Sequence, residues 1–296
     1  MIQNKTLKGV LYVALGASSY GMLASFVKMA YQEGYTTAEV SGSQFSLGLF
    51  TVLLLNLIRK VKKDTDDVKI TKPQIPKLIL AGTSMGFTSV FYYLSVKYIS
   101  VSIGIVLLMQ TVWMSVLLEM ILDKKRPSFQ KIVSVVITLI GTILATNILN
   151  TELNLDWRGF FWGILAAAAF TTTMFGANKV AINVPSIQRS FFMLIGGTLI
   201  VVLFGIITQT TPFNFSIFMK WGIILSLFGT VIPPFLLNTG FPLTGLGLGS
   251  IVSALELPVS VTMAYFLLSE EVNRIQWFGI MLIIVAIILM NIRLNK

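Results

Sequence analysis

The chain offers few groups that could do chemistry. It contains no Cys and no His, which removes disulfides, thiol nucleophiles, imidazole acid–base catalysis, and Cys or His metal ligands. No nucleophile–base pair and no paired catalytic carboxylates can be assembled from what remains. The conspicuous residue is Glu256, set in the apolar run "IVSALELPVSVTMAYFLL". If a helix over 246–268 crosses a bilayer, Glu256 lies about ten residues, or ~15 Å, deep at ~1.5 Å per residue, near the middle of a hydrocarbon core ~30 Å thick. A charged group at that depth costs roughly 2.5–3.5 kcal/mol, and such residues usually face a cavity or a partner. Two readings stay open: a carboxyl that binds a substrate amine or a proton, and a structural carboxyl hydrogen-bonded to a neighbouring helix.

Gln110 reaches a similar depth in the first half of the chain. There it can bond a substrate or an adjacent helix, as polar side chains in membrane interfaces do. Trp113 follows at i+3, on the same helical face, as a pocket wall or as ordinary packing. Tyr20, Tyr92 and Tyr93 place hydroxyls deep in, or near the middle of, apolar helices. Asn238 follows "IPPFLL", where Pro233 and Pro234 remove two backbone donors and must break or kink the helix. Irregular backbone at membrane depth is tolerated only beside a cavity or within protein, so these prolines, together with Pro258, are candidate hinge or gate positions, with a packing kink as the alternative.

Composition dictates what must position these groups. Apolar residues make up 55% of the 296 and charged residues 11%, against ~25% charged in a soluble domain. Long apolar runs fill the sequence. They predict an all-α integral membrane protein with ten transmembrane helices, at about 8–30, 38–59, 76–97, 101–122, 129–149, 157–180, 187–208, 217–240, 246–268 and 274–292. The sizeable connection is "KVKKDTDDVKITKPQI" at 60–75. The apolar stretch after Lys5 and Lys8 is too long for a cleavable signal and reads as the first helix.

The net charge of +10 sits at helix ends, which points to membrane topology and not to nucleic acid. Placing the N-terminus inside puts Lys5, Lys8, Arg59, Lys60, Lys62, Lys63, Lys69, Lys72, Lys77, Lys124, Lys125, Arg126, Lys131, Lys179, Arg189, Arg293 and Lys296 on the inner side. The outer side then holds Lys28, Lys97, Arg158, Lys220 and Arg274, with carboxylates in "YQEGYTTAE", "NTELNLD" and "SEEVN". The imbalance favours both termini in the cytoplasm. Lys28 and Lys179 are expected to snorkel, with gating as the alternative. Glu119 is expected to reach water or to pair with Lys124 or Lys125.

The chain divides near residue 150 into halves, 1–149 and 150–296. "KGVLYVALGASSYGMLASFVKMA" pairs with "RGFFWGILAAAAFTTTMFGANKVA", and "IVLLMQTVWMSVLLEMILDKK" with "IVSALELPVSVTMAYFLLSEE". Gly9 then meets Gly159, Gln110 meets Glu256 and Val112 meets Pro258. Five helices per half is an odd number, so the halves form inverted repeats, a common basis of carriers whose site lies near the midplane between the repeats.

"YGMLASFVK" in the first helix and "ELPVSVTMAYFLLSEEVNRIQWFG" around the ninth resemble the drug/metabolite transporter superfamily, in its EamA-like branch of ten-helix carriers. The resemblance covers nearly the whole chain. Val112, where that family commonly has Pro, and Gln44, where an Arg often sits, depart from its pattern. The resemblance implies export of small metabolites such as amino acids across a bacterial inner membrane.

Other patterns carry less. "GLGLG" at 245–249 has no preceding strand and opens a membrane helix. Its small residues, Gly82, Gly86 and the "AAAA" at 166–169 are expected to let helices approach closely. "DTDD" at 64–67 lacks the Gly and terminal Glu of a calcium loop. With no nucleotide-hydrolysis motif, metal cluster or cofactor signature, the sequence points to a secondary carrier working by alternating access, its pocket lined by helices 1, 3, 4, 6, 8 and 9. The cargo expected is a small organic metabolite, amino acids first, with proton coupling as one form. The alternative cargo is a lipophilic cation or drug exchanged for protons. A membrane-embedded enzyme lacks residues to run on. The expected surroundings are the lipid bilayer and a small-molecule substrate, without nucleic acid, and the oligomeric state is not readable.

Overall fold

A computed structural model describes residues 2–61, 70–148 and 156–291, with side chains from residue 5. Lys62, Lys63, Lys69, Arg293, Lys296, the "DTDD" run and most of "NTELNLD" lie outside the described residues. Within them the chain is helical, without strands. We number the crossing helices α1 (Ile2–Gln32), α2 (Thr37–Val61), α3 (Gln74–Val96), α4 (Val101–Asp123), α5 (Phe129–Ala145), α6 (Trp157–Lys179), α7 (Ser186–Thr208), α8 (Phe218–Thr244), α9 (Leu246–Leu268) and α10 (Arg274–Asn291). Nine are long and apolar enough to span a membrane, and α5 is a shorter apolar helix. The α5 helix was expected to reach residue 149. It ends at Ala145, followed by Asn147 at φ 55°.

Local chemistry sets the starts. Ser100, Ser128 and Asp156 cap α4, α5 and α6 by accepting from Ile103, Lys131 and Arg158 backbone N–H groups, satisfying donors a helix start leaves free. Thr36 and Glu39 form a reciprocal capping box at α2. Asn273 and Gln276 do the same at α10. Glu39, expected as an outer-loop carboxylate, is instead buried, and it also accepts from the Asn214 backbone at 2.7 Å.

The helices alternate in direction. We call the face where α1 begins the near end and the opposite face the far end. α3 packs closely on α6 and α7, α1 on α8 and α9, and α5 on α10. A Cβ on Gly82 would collide with the Met193 backbone of α7, so the small residues of α3 do admit a neighbouring helix as expected.

Two helices are broken: α4, which the sequence predicts as continuous, and α9, where Pro258 is a candidate hinge. α4 divides into Val101–Leu108 and Thr111–Asp123, and α9 into Leu246–Ser253 and Glu256–Leu268. The breaks fall within one residue of the positions paired between the halves. In α9 the cause is Pro258, which cannot donate to the Ala254 carbonyl. The Leu257 N–H does so instead, at 3.2 Å in a tightened turn. α8 is irregular in another way. It carries π-helical turns at Phe218–Gly222 and Leu227–Val231, and a new α segment starts at Ile232, just before Pro233 and Pro234. The Ile232 N–H reaches back to the Leu227 carbonyl, and the widened turn absorbs the donors the prolines lack. The Phe228 carbonyl instead accepts from Ser19 of α1 at 2.9 Å.

Candidate functional site

Glu256 opens the second segment of α9, directly after its break. The residue is deep in the bundle yet only partly shielded, the combination expected of a cleft wall. Among the described residues its carboxyl forms no hydrogen bond or ion pair. No charged side chain of the described residues acts on it; the groups within electrostatic reach are the phenols of Tyr20 on α1 and Tyr92 on α3. Tyr93 and Tyr92 are both within electrostatic reach of the Tyr31 phenol near the far end of α1. The tyrosines therefore form a polar series from the far end of α1 and α3 to the depth of Glu256.

Gly21, adjacent to Tyr20, is the position sequence reasoning missed. A Cβ there would meet the Glu256 carbonyl oxygen at 2.5 Å, Val259 Cβ at 2.8 Å and the Ser260 nitrogen at 3.0 Å. The close approach of α1 to the α9 break depends on that missing Cβ. Its signal was present in "SYGML", where a Gly adjoins a membrane-depth Tyr.

Gln110, paired with Glu256 between the halves, behaves differently. The break in α4 leaves the Val106 carbonyl without the Gln110 N–H, which turns to Leu107. The Gln110 side-chain amide takes that place, donating to the Val106 carbonyl at 3.0 Å, and its oxygen accepts from Trp113 Nε1 at 2.9 Å. A carboxylate cannot donate this back-bond, so Glu256 stays free where Gln110 is engaged. The two form no hydrogen bond with each other. The two helices meet instead through Met109, Val112, Ile251, Ala254 and Leu257, with Ser250 donating to the Val112 carbonyl at 3.4 Å. Trp113 is 38% exposed. Pro258 is buried beside this contact.

Asn238 lies apart from Glu256, toward the near end of α8. It is buried, and its Nδ2 donates to Ser190 Oγ at 2.9 Å, while its Oδ1 has no partner. It lines a small cavity of about 10 Å³ with Tyr20, Met85, Thr173, Met193 and Pro234, on α1, α3, α6, α7 and α8. That cavity includes α7, which was not expected, and neither α4 nor α9. Below it, Val10, Val13, Leu237, Phe241, Leu246 and Val252 close the near end in an apolar cluster.

Several charges sit elsewhere than expected. Arg189, counted as an inner-side charge at a helix end, is 1% exposed inside α7. It donates to the carbonyls of Val180 (3.1 Å), Gly176 (3.1 Å), Ala177 (2.5 Å) and Asn238 (2.7 Å). Glu119 pairs with Lys131 and not with Lys124 or Lys125. Both of its oxygens rest against Gly245 and Gly247, so in "GLGLG" two glycines admit an ion pair as well as a helix. Lys28 pairs with Glu270 at the far end, and Lys179 with Asp123 at 3.6 Å at the near end. These pairs link α1 to the end of α9 and α6 to the end of α4, which are equivalent positions in the two halves. No cluster of acidic residues that could hold a metal ion occurs among the described residues.

A bundle of ten helices in two like halves, broken at paired depths around an unpartnered carboxyl, is the architecture of a polytopic membrane transporter. The EamA-like transporter family model matches residues 7–147 and 157–292, and the chain belongs to that family. The two matched segments correspond to the two five-helix halves. No curated protein matches the chain. Among solved structures 28 chains match. One of them, described only as "Crystal structure of protein", is similar over 97% of this chain and 96% of its own, with a TM-score of 0.78 at 12% identity. That likeness bears on the fold alone.

Proposed function

We propose that this protein is a secondary carrier that exports small organic metabolites bearing an amino group, amino acids or related compounds. It works by alternating access across the cytoplasmic membrane, with the near end and both termini in the cytoplasm. Glu256 anchors the cargo ammonium, Tyr20, Tyr92 and Tyr93 wall the site, and Gln110 with Trp113 forms the facing side. Pro233, Pro234 and Pro258 mark the flexible points. The observation that supports this reading most is the unpartnered Glu256 carboxyl at a helix break. Burying a charge without a partner is unfavourable, so a protein retains it where a cargo cation or a proton completes it. Discontinuous helices near the midplane are where carriers place such sites.

The closed apolar cluster at the near end and the tyrosine series toward the far end fit an outward-facing state. The test is a substrate screen in proteoliposomes at two pH values, comparing wild type with Glu256→Gln. The reading requires uptake or efflux of an amino compound that the variant loses. Wild-type rate and pH response in Glu256→Gln overturn it.

A second reading, export of lipophilic cations in exchange for protons, is favoured by one observation. Among the described residues no cationic side chain reaches Glu256 to hold a cargo carboxylate. Efflux of a quaternary ammonium compound driven by a proton gradient, without amino-acid transport, selects it.

A further inference from the structure

Tyr20 is shared by the surroundings of Glu256 and the small buried cavity. On one side its phenol is within electrostatic reach of Glu256. On the other it lines the cavity that ends on Asn238. The ring is held by an edge contact with Phe170, centroids 6.4 Å apart at 80°. The cavity wall is mostly apolar, and Asn238 is the amide on it. The Asn238 carboxamide is 3% exposed, one edge bonds Ser190, and Oδ1 remains without a partner. An orphan buried acceptor costs ~1–3 kcal/mol, and a site of about 10 Å³ is the size of one small group such as a water. The other lining residues include Met85, Met174 and Met193, flexible side chains that repack readily. The cavity draws on helices from both halves and lies on the near side of Glu256, in line with the closed apolar cluster.

The geometry points to a second binding station beneath Tyr20, in which Asn238 Oδ1 accepts a hydrogen bond from an N–H donor of the cargo, with the Tyr20 ring as the partition between this station and Glu256. The inference rests on the reading of Glu256 as the cargo site. It adds a path: an ammonium entering from the near end is met first by Asn238, passes when Tyr20 swings aside, and is then held by Glu256. In the present state the station is closed down to the volume of a single small group.

The chain has no cysteine, so single-cysteine labelling needs no background substitutions. Met85→Cys places a thiol on the cavity wall. A membrane-impermeant trimethylammonium methanethiosulfonate applied from the far end is expected to modify it slowly when Tyr20 is present, and at least about tenfold faster when Met85→Cys is combined with Tyr20→Ala. Phe170→Leu, which removes the ring holding Tyr20, provides the same test should Tyr20→Ala fail to fold. In the opened background, methylammonium is expected to slow the modification and tetramethylammonium, which has no N–H, is not. Asn238→Leu is expected to abolish the methylammonium protection. Unchanged labelling in both opened variants, or protection that survives Asn238→Leu, overturns the proposal. Glu256→Gln leaves the labelling pattern in place. Transport indifferent to Glu256→Gln with the labelling pattern intact therefore overturns the carrier-site reading and not the station.

Discussion

The guanidinium of Arg189 donates to the Asn238 carbonyl at 2.7 Å. That carbonyl is the one whose helical partner would be residue 242, a proline inside α8, which has no N–H to give. Arg189 thus supplies from α7 the donor that α8 lacks. Its remaining bonds go to carbonyls at the end of α6, where the helix dipole favours a positive charge. A single buried cation ties together the near ends of three helices without any carboxylate partner.

Removing it should unfold that corner. Arg189→Met leaves buried carbonyls unsatisfied at ~1–3 kcal/mol each. Arg189→Lys keeps the charge but loses the planar fork that reaches several acceptors at once. Thermal unfolding in detergent is expected to show a large loss for Met and a smaller one for Lys. Equal melting temperatures for wild type and Arg189→Met would refute the structural role.

The position of Arg189 also shows what the sequence could and could not reveal. Helix number, the split near residue 150 and the depth of Glu256 follow from runs of apolar residues, because a bilayer dictates length and hydropathy. Pairing between helices leaves no such periodic mark. Arg189 lies in the first turn of α7 after a short connection and reads as a topology charge until α8 brings the Asn238 carbonyl to it. The break in α9 is signalled by Pro258. The break in α4 is not, because Val112 keeps its N–H, which donates to the Met109 carbonyl at 3.1 Å. Glu39 read as a loop acid because its partners, Gln209 and Asn214, come from a connection far along the chain.

Gly21 gives a prediction about the site that does not depend on cargo identity. Its missing Cβ lets α1 lie against the α9 backbone at Glu256, and the atoms in the way are backbone and a Cβ, which cannot rotate aside. Gly21→Ala is expected to push α1 off α9 and to reduce transport at least about tenfold while the protein still assembles, with Gly21→Val worse. Gly42 serves as the control, since the nearest atoms to a Cβ there are at 3.7 Å on the Phe213 ring, an ordinary contact distance. Transport by Gly21→Val equal to that of Gly42→Ala would show that the contact is not needed.

At the far end, Glu33 follows α1 and its carboxylate accepts from Lys220 at 3.0 Å. That bond holds its pKa below the usual carboxylate value. A lowered folded-state pKa means that the pair stabilises the protein above the unfolded-state pKa, and that this contribution disappears as pH falls through the folded-state value. Wild type is therefore expected to melt slightly above Glu33→Gln at neutral pH, and the two should converge in acid. The pair is exposed and worth little, and high salt should narrow the gap. A gap that widens on acidification would contradict this assignment.

The contrast between the two paired positions yields the sharpest test of the site. Gln110 spends its amide on the Val106 carbonyl and on Trp113, so its bonds mend a break in its own helix. Glu256 has no such employment. Gln110→Leu should therefore lower stability, since it leaves the Val106 carbonyl and the Trp113 N–H unpaired, and change transport less than Glu256→Gln does. Glu256→Gln should do the reverse, because a Gln there can donate back to its own helix as Gln110 does, and so can raise the melting temperature while transport is lost. Gln110→Glu completes the comparison: it moves an unpartnered carboxyl into the first half and should cost stability. Measuring melting temperature and proteoliposome flux on the same three preparations separates the roles. Parallel losses in both quantities for Gln110→Leu and Glu256→Gln would mean that the two residues do the same work, against the asymmetry seen in their hydrogen bonds.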